Sequence, residues 1–163
     1  PLIRYTASKG KPMVISCGMG TADEIADAVE ACRSVGNEQI VLLKCTSEYP
    51  AVYEDMNIAS MVDMRERFGC AVGLSDHSMG WGVDVAAATL GASVIEKHYC
   101  ISREQKTVDS EFSMEPAEFK AMIVDVRRAK ASIGHVTYDR TDKEKKGLAG
   151  RRSLKPVKNI ARG

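Results

Sequence analysis

Residues 72–77 read VGLSDH, and residues 94–98 read VIEKH. Both are short apolar runs that end in a histidine and precede polar or small residues, which is typical of buried strands. Functional side chains of α/β folds lie at the carboxyl ends of parallel strands. The runs therefore predict that His77 and His98 meet at one end of a sheet. Two neutral imidazoles there suit a divalent metal with oxygens as its other ligands, and a pair of structural histidines is the alternative.

Strands and helices alternate along the rest of the chain. Apolar segments predict two further strands at 12–16 and 39–45. Helices are expected after the capping-box spacing of Thr21 and Glu24, and again in the three segments 57–68, 83–90 and 116–133. Alternation with short connections predicts a parallel sheet with right-handed crossovers. A complete (β/α) barrel has eight units in about 250 residues, so these four units predict half of a TIM-type barrel of the α/β class.

Composition sets the organisation of the chain. Residues 1–134 are predicted to form the half-barrel, and residues 135–163 a basic, solvated linker, since eight basic and two acidic side chains lie between Arg140 and Lys158. The net charge of +1 gives no attraction to nucleic acid or an anionic membrane, and no apolar run is long enough to span a bilayer. Five cysteines without a C-x-x-C pair favour a reduced, cytoplasmic compartment.

Strand alternation selects the side chains that share a face with the histidines. Residues of the same parity as His77 and His98 are Ser75 and Glu96, and the corresponding phase on the first two strands selects Ser16, Cys45, Ser47 and Tyr49. Hydroxyls without an adjacent base suit hydrogen bonding to a phosphate or carboxylate better than nucleophilic attack. The two lysines that could form a Schiff base, Lys44 and Lys97, are out of phase, which counts against a lysine aldolase.

Four motifs in order resemble the sialic acid synthase family over essentially the whole chain. They are LLKCTSEYP at 42–50, YEDMN at 53–57, GLSDH at 73–77 and IEKHY at 95–99. The resemblance implies condensation of phosphoenolpyruvate with a hexosamine-type, N-acetylated amino sugar to give a nine-carbon 2-keto acid. KCTS at 44–47 and TVDSEFSM at 107–114 are most similar to the pseudaminic acid synthase branch.

The resemblance also implies a role for each site residue. His77 and His98 would bind Mn²⁺ or Mg²⁺. Phosphoenolpyruvate would be held by Ser16, Ser47 and Ser75, and the acceptor sugar contacted by Tyr49 and Asp109. Glu96 is the catalytic candidate, either assisting proton transfer or holding a metal-bound water; pairing with a lysine from elsewhere is its structural alternative.

The resemblance further places these residues in the C-terminal half of the barrel, followed by a lead-in to a small antifreeze-like domain. Since the chain begins at Pro1 with what reads as the end of a helix, we expect a fragment that lacks the other catalytic residues and is inactive alone. A homodimer is expected for the whole protein. Two other functions stay open: a metal-assisted barrel lyase or isomerase, and a half-barrel without catalytic activity.

Overall fold

The computed structural model describes residues 1–162. Contacts divide the chain into two units, Pro1–Ile133 and a second that begins at Gly134. The first unit contains four strands, β1 (Met13–Ser16), β2 (Ile40–Cys45), β3 (Ala71–Asp76) and β4 (Val94–Lys97). Its helices are α1 (Leu2–Ala7), α2 (Ala22–Arg33), α3 (Ala59–Phe68), α4 (Gly82–Thr89) and α5 (Pro116–Ser132), with a 3₁₀ turn at Tyr53–Asp55.

The four strands form one parallel sheet in the order β1-β2-β3-β4, curled as half of a barrel. Its register pairs Ser16 with Leu43, Cys45 with Ser75, and Asp76 with Lys97. All four carboxyl ends therefore lie along one edge, as alternating strands and helices require. The predicted fold class is confirmed.

Local sequence signals explain where the helices begin and end. The hydroxyl of Thr21 accepts a hydrogen bond from the Glu24 amide, and the Glu24 carboxylate accepts one from the Thr21 amide, so the capping box starts α2 as predicted. Pro116 occupies the first turn of α5, where its missing amide costs nothing. Gly69 ends α3 with φ of +63°, a conformation that glycine adopts without strain.

The two faces of the sheet differ in what covers them. Leu42, Val72 and Leu74 are fully buried against apolar residues of α2, α3 and α4. Burying one such side chain stabilises the folded state by about 1.5–3 kcal/mol. The hydrophobic core therefore lies between this face of the sheet and the helices. The alternate residues of each strand lie on the other side of the sheet, which we call the inner face. Val14 and Ser16 are exposed on this face.

The inner face also explains Gly73. A Cβ at this position would collide with the carbonyl oxygen of Val94 on the neighbouring strand and would lie 2.7 Å from Leu43 Cδ2. Any side chain there would push β3 away from its neighbours. The glycine of the GLSDH motif therefore keeps the strands close just ahead of the histidine.

The second unit is fully exposed wherever the structure describes it. It contains α6 (Asp142–Gly147) and a 3₁₀ turn (Leu148–Gly150). The sequence predicted only a linker here, but Thr141 and Glu144 form a second capping box that starts α6. Gly163, the last residue of the predicted linker, lies outside the described residues. Along residues 1–162, no helix combines the length and apolar character needed to cross a membrane.

Candidate functional site

The two histidines meet at the carboxyl edge of the sheet. His77 directly follows β3 and His98 follows β4. Their ring centroids are 5.1 Å apart and the ring planes are nearly perpendicular, at 83°. Strand parity thus brings the rings together on the inner face, as the sequence predicted.

A backbone carbonyl fixes the tautomer of His77. Its Nδ1 lies 2.8 Å from the carbonyl oxygen of Thr46, which can only accept a hydrogen bond. Nδ1 is therefore the protonated nitrogen in the neutral ring, and Nε2 keeps its lone pair. Histidines that ligate metals are held in this way, by a hydrogen bond from the second ring nitrogen.

The surroundings of His98 also favour the neutral ring. Burial lowers the pKa of His98 below its usual 6.5, and nearby His77 lowers the pKa further. Asp109 acts in the opposite direction, with Oδ2 3.8 Å from Nδ1 of His98, too far for a hydrogen bond. The neutral ring of His98 can therefore act as an electron-pair donor, as Nε2 of neutral His77 can.

Aromatic side chains form one wall of the site. The ring of Tyr49 stacks on His77 with a centroid distance of 4.2 Å. Phe112 lies 4.8 Å from the His98 ring and 6.1 Å from Tyr49, measured between centroids. Tyr49 was expected at the site, whereas Phe112 was not singled out because it comes from the long segment between β4 and α5, to which strand parity does not apply.

Ser75 and Glu96 form a pair across the neighbouring strands. The Ser75 hydroxyl, almost fully buried, donates a hydrogen bond of 2.7 Å to Oε1 of exposed Glu96. A serine has one hydroxyl hydrogen, so Ser75 can donate to an anionic substrate only after turning away from Glu96. Oε2 of Glu96 is the oxygen that this bond leaves unused.

Ser16 and Ser47 are exposed at the same edge. The loop after β1 approaches β2 so closely that a Cβ on Gly18 would collide with Oγ of Ser47 and lie 3.1 Å from Sγ of Cys45. The first two strands therefore bring their hydroxyls to the edge where the histidines lie. Whether the three serines bind phosphoenolpyruvate stays a prediction.

Both lysines lie away from the inner face, as their parity predicted. Lys44 is half-buried and donates hydrogen bonds to the carbonyl oxygen of Cys45 and the hydroxyl of Thr46. Lys97 is fully buried and makes ion pairs with Asp76, at 2.5 Å, and with Asp84, at 3.6 Å. Neither ammonium is available to form a Schiff base with a substrate on the inner face. Strand alternation had placed Lys97 off the inner face without indicating its partners.

The donor chemistry fits a divalent metal only in part. Two neutral imidazoles are suitable ligands for Mn²⁺ and related ions, and Asp109 supplies a carboxylate nearby. Within residues 1–162, however, no group of three or more His, Cys, Asp or Glu side chains is arranged to hold an ion. His77 and His98 therefore fit as part of a ligand set completed by oxygens of water, substrate or other residues.

Several known proteins are similar to this chain over most of its length. A pseudaminic acid synthase of Campylobacter jejuni is 40% identical over 161 residues, which cover 99% of this chain and 47% of that protein. An N,N'-diacetyllegionaminic acid synthase of the same species is 33% identical over 166 residues, covering 100% of this chain and 50% of that protein. The crystal structure of an N-acetylneuraminic acid synthetase from Leptospira borgpetersenii superposes with a TM-score of 0.81 at 30% identity, over 94% of this chain and 53% of that one.

The chain thus spans about half the length of the curated relatives it matches. The resemblance inferred from the four motifs is confirmed, and the similar proteins named as pseudaminic acid synthases support the branch inferred from residues 44–47 and 107–114. The NeuB family model matches residues 1–138, which include the whole half-barrel unit and the start of the next. The chain therefore belongs to the NeuB family, and the curated proteins that it resembles are synthases of pseudaminic, legionaminic and sialic acids.

Proposed function

We propose that this chain supplies part of the active site of a cytoplasmic synthase that condenses phosphoenolpyruvate with an N-acetylated hexosamine-type sugar, forming a nine-carbon 2-keto acid. The observation that carries the proposal is the pair of imidazoles, 5.1 Å apart, at the edge that also presents Ser16, Ser47 and Ser75. Relatives named as pseudaminic acid synthases favour a 2,4-diacetamido sugar as the acceptor.

In this proposal the hydroxyls bind the anionic donor. Ser16 and Ser47 donate hydrogen bonds to the phosphate or carboxylate of phosphoenolpyruvate, and Ser75 joins them when its hydroxyl turns from Glu96. These bonds orient the nucleophilic carbon without breaking any bond themselves. They contribute to catalysis mainly by holding the reacting groups in a fixed geometry.

The second carboxylate oxygen of Glu96 accepts the proton that is released when water adds to the donor. C3 of phosphoenolpyruvate attacks the aldehyde carbon of the sugar, whose oxygen takes up a proton, and this leaves a cation at C2 to which water adds. Ser75 occupies Oε1 of Glu96, so Oε2 is free to accept the proton that this water releases. The resulting tetrahedral carbon expels phosphate by cleavage of its C–O bond. A divalent ion bound by His77 and His98 would supply Lewis-acid polarisation of the sugar's aldehyde oxygen.

The aromatic wall holds the acceptor sugar. Tyr49 contributes its ring beside His77, and Phe112 continues the same wall next to His98. Asp109 lies near enough to His98 to accept hydrogen bonds from sugar hydroxyls at the same place. An N-acetylated sugar, with apolar methyl groups and many hydroxyls, is the kind of ligand that such a mixed surface binds.

We further propose that turnover needs residues beyond these 163 and that the active protein is a homodimer. The relatives are about twice as long, and within residues 1–162 β1 and β4 are edge strands of the sheet. The whole protein should close this sheet and supply the positive charges that a phosphate needs. Glycerol-gradient or light-scattering mass measurement of the whole protein tests the dimer.

The deciding experiment is an assay of the full-length protein with phosphoenolpyruvate, a 2,4-diacetamido hexose and Mn²⁺. We expect release of phosphate that depends on both substrates, and ¹⁸O placed in the bridging position of phosphoenolpyruvate should appear in the phosphate. N-acetylmannosamine in place of the diacetamido sugar should react more slowly. Phosphate release without a sugar, or isomerisation of the sugar without phosphoenolpyruvate, would contradict the proposal.

A further inference from the structure

We propose that Lys97 is a positioning residue that sets the placement of His77 relative to His98. This inference rests on the proposed function in one respect, namely that the two histidines act together as metal ligands. Lys97 itself lies on the helix-covered face and touches no group that we place in contact with substrate.

Two hydrogen bonds join Lys97 to both neighbours of His77. Its Nζ donates to Oδ2 of Asp76 at 2.5 Å and to the carbonyl oxygen of Ser78 at 2.7 Å. Asp76 directly precedes His77 and Ser78 directly follows it, while Lys97 itself directly precedes His98. A single ammonium group thus connects the backbone segments that hold both imidazoles.

A further bond makes the turn at His77 rigid. Oδ1 of Asp76 accepts a hydrogen bond of 2.8 Å from the backbone amide of Ser78. This bond connects the two residues on either side of His77. Both oxygens of Asp76 are used, one inside its own turn and one by Lys97. We call the set formed by Asp76, Ser78 and Lys97 the lysine clamp.

The lysine clamp lies where the strand ladder ends. Asp76 and Lys97 are the last paired residues of β3 and β4. Beyond them, the backbone of each histidine is held by a different segment: His77 accepts a bond from the Ala51 amide, and His98 one from the Met114 amide. The lysine clamp is therefore the last direct connection between the two chain segments before the rings.

Burial makes this connection stiff. The side chains of Lys97 and Asp76 are 1% and 0% exposed, so neither can exchange its partner for water without opening the core. Asp84 of α4 approaches Lys97 to 3.6 Å and is also fully buried. A charge enclosed in this way has few alternative positions, because each would leave an ion buried without a partner.

The test uses the full-length protein with Lys97→Met and Asp76→Asn combined, so that the ion pair is removed as a unit. Selective ¹⁵N labelling of histidine reports the ring resonances without metal, and calorimetric titration reports Mn²⁺ affinity. We expect the resonances of His77 and His98 to shift and Mn²⁺ affinity to fall ten-fold or more, since supporting partners of metal ligands have effects of this size.

Leu74→Ala is the matched control. Leu74 lies on β3, is fully buried on the same face and touches no part of the lysine clamp by hydrogen bonding. This variant should lower the melting temperature while leaving the ring resonances in place and Mn²⁺ affinity within two-fold. If the double variant does not fold, Asp76→Asn alone is used: its single oxygen can accept from the Ser78 amide while its NH2 group faces Lys97, so it should produce the same resonance shifts at smaller amplitude.

The proposal is overturned if the folded variant leaves both histidine resonances and Mn²⁺ affinity at wild-type values, or if Leu74→Ala changes them as much. If the proposed function itself is wrong, the experiments give a different set of results. In that case wild-type protein forms no product from phosphoenolpyruvate and the sugar, while the histidine resonances still respond to loss of the lysine clamp.

Discussion

Ser75 donates its only hydroxyl hydrogen to Glu96, directly opposite it on the next strand, at 2.7 Å. The bond gives Glu96 a fixed position although its side chain is exposed. It also makes the two carboxylate oxygens different: Oε1 accepts the hydrogen bond from Ser75, whereas Oε2 is not used by this bond. In the proposed mechanism, the pair therefore joins the hydroxyl that binds phosphoenolpyruvate to the carboxylate that accepts the proton.

Glu96→Gln should lower kcat by a factor of about 100 or more, which is typical for loss of a general acid or base. The amide oxygen still accepts the bond from Ser75, so folding and the melting temperature should change little. Steady-state assays with both substrates measure the effect. Ser75→Ala is the comparison: it removes the bond but keeps the carboxylate, and should raise KM for phosphoenolpyruvate more than it lowers kcat. Wild-type turnover by Glu96→Gln would remove Glu96 from the mechanism.

Gly18→Ala should mimic Ser47→Ala. A methyl group at position 18 would occupy the place of Ser47 Oγ, and the serine would have to turn aside. Both variants should raise KM for phosphoenolpyruvate by a similar factor, on the order of ten for a lost hydrogen bond to a charged ligand. The double variant should be no worse than either single one, because both changes remove the same bond.

Gly20→Ala provides the control for that pair. A Cβ there would lie 3.5 Å from the nearest atoms, the Cys17 carbonyl oxygen and Ile25 Cγ1, which is ordinary contact. This variant should bind phosphoenolpyruvate like the wild type. Additive effects of Gly18→Ala and Ser47→Ala would show that Ser47 does not bind the donor through its present position.

Mn²⁺ affinity should decline only at acidic pH. Both imidazoles must be neutral to bind an ion, and burial together with His77 holds the pKa of His98 below its usual 6.5. Calorimetric titrations between pH 5 and 8 should therefore show an affinity that falls toward acidic pH, where the imidazoles take up protons. His135→Ala, which changes an exposed histidine of the second unit, should give the same curve. An affinity that does not change between pH 5 and 8 would contradict the assignment of the two histidines as ligands.

Arg103→Met should weaken binding of the acceptor sugar more than that of phosphoenolpyruvate. The guanidinium makes two bonds to Glu118, at 2.6 and 2.7 Å, and one to the Ser113 carbonyl oxygen. It thereby fastens the segment that carries Asp109 and Phe112 to the start of α5. Loosening this segment should raise KM for the sugar several-fold, as measured by steady-state kinetics.

Arg128→Met is the matched variant for Arg103→Met. Arg128 makes an exposed ion pair with Asp125 at 3.5 Å on the same helix, and such pairs contribute about 0–1 kcal/mol. It should leave both KM values unchanged. Equal effects of the two variants would mean that Arg103 does not order the sugar site.

Periodicity made most of the site predictable. Alternation alone placed Ser75, Glu96 and both histidines on one face and Lys97 on the other, because β3 and β4 are regular up to their last residues. Continuing the phase of β2 also selected Tyr49. Family motifs added Asp109, which lies beyond the strands, where alternation gives no information.

The remaining parts depend on contacts that no local pattern encodes. Asp84 is buried beside Lys97 only because α4 packs over β3 and β4, and its place in the first turn of a helix looks like an ordinary solvent-exposed position. Ile133 is the reverse case, a residue whose position looks buried in the sequence but is not. Its spacing extends the apolar stripe of α5, yet its side chain is half exposed. The helix α6 could have been predicted, since Thr141 and Glu144 have the same spacing as Thr21 and Glu24.

The stability of the protein should depend on pH through Asp84. Burial, and secondarily the charge of Asp76, raises the pKa of Asp84 to about 7, whereas an unfolded aspartate titrates near 3.9. Between these values the folded state binds more protons than the unfolded state, so the contribution of Asp84 is full below about pH 4 and is lost as pH rises through 7. Relative to Asp84→Asn, the wild-type melting temperature should therefore fall between pH 5 and 8. Asp63→Asn is the control, because a hydrogen bond from Arg67 lowers the pKa of Asp63 and its titration is complete below pH 5. A wild-type melting temperature that runs parallel to that of Asp84→Asn would mean that Lys97 keeps Asp84 ionised throughout.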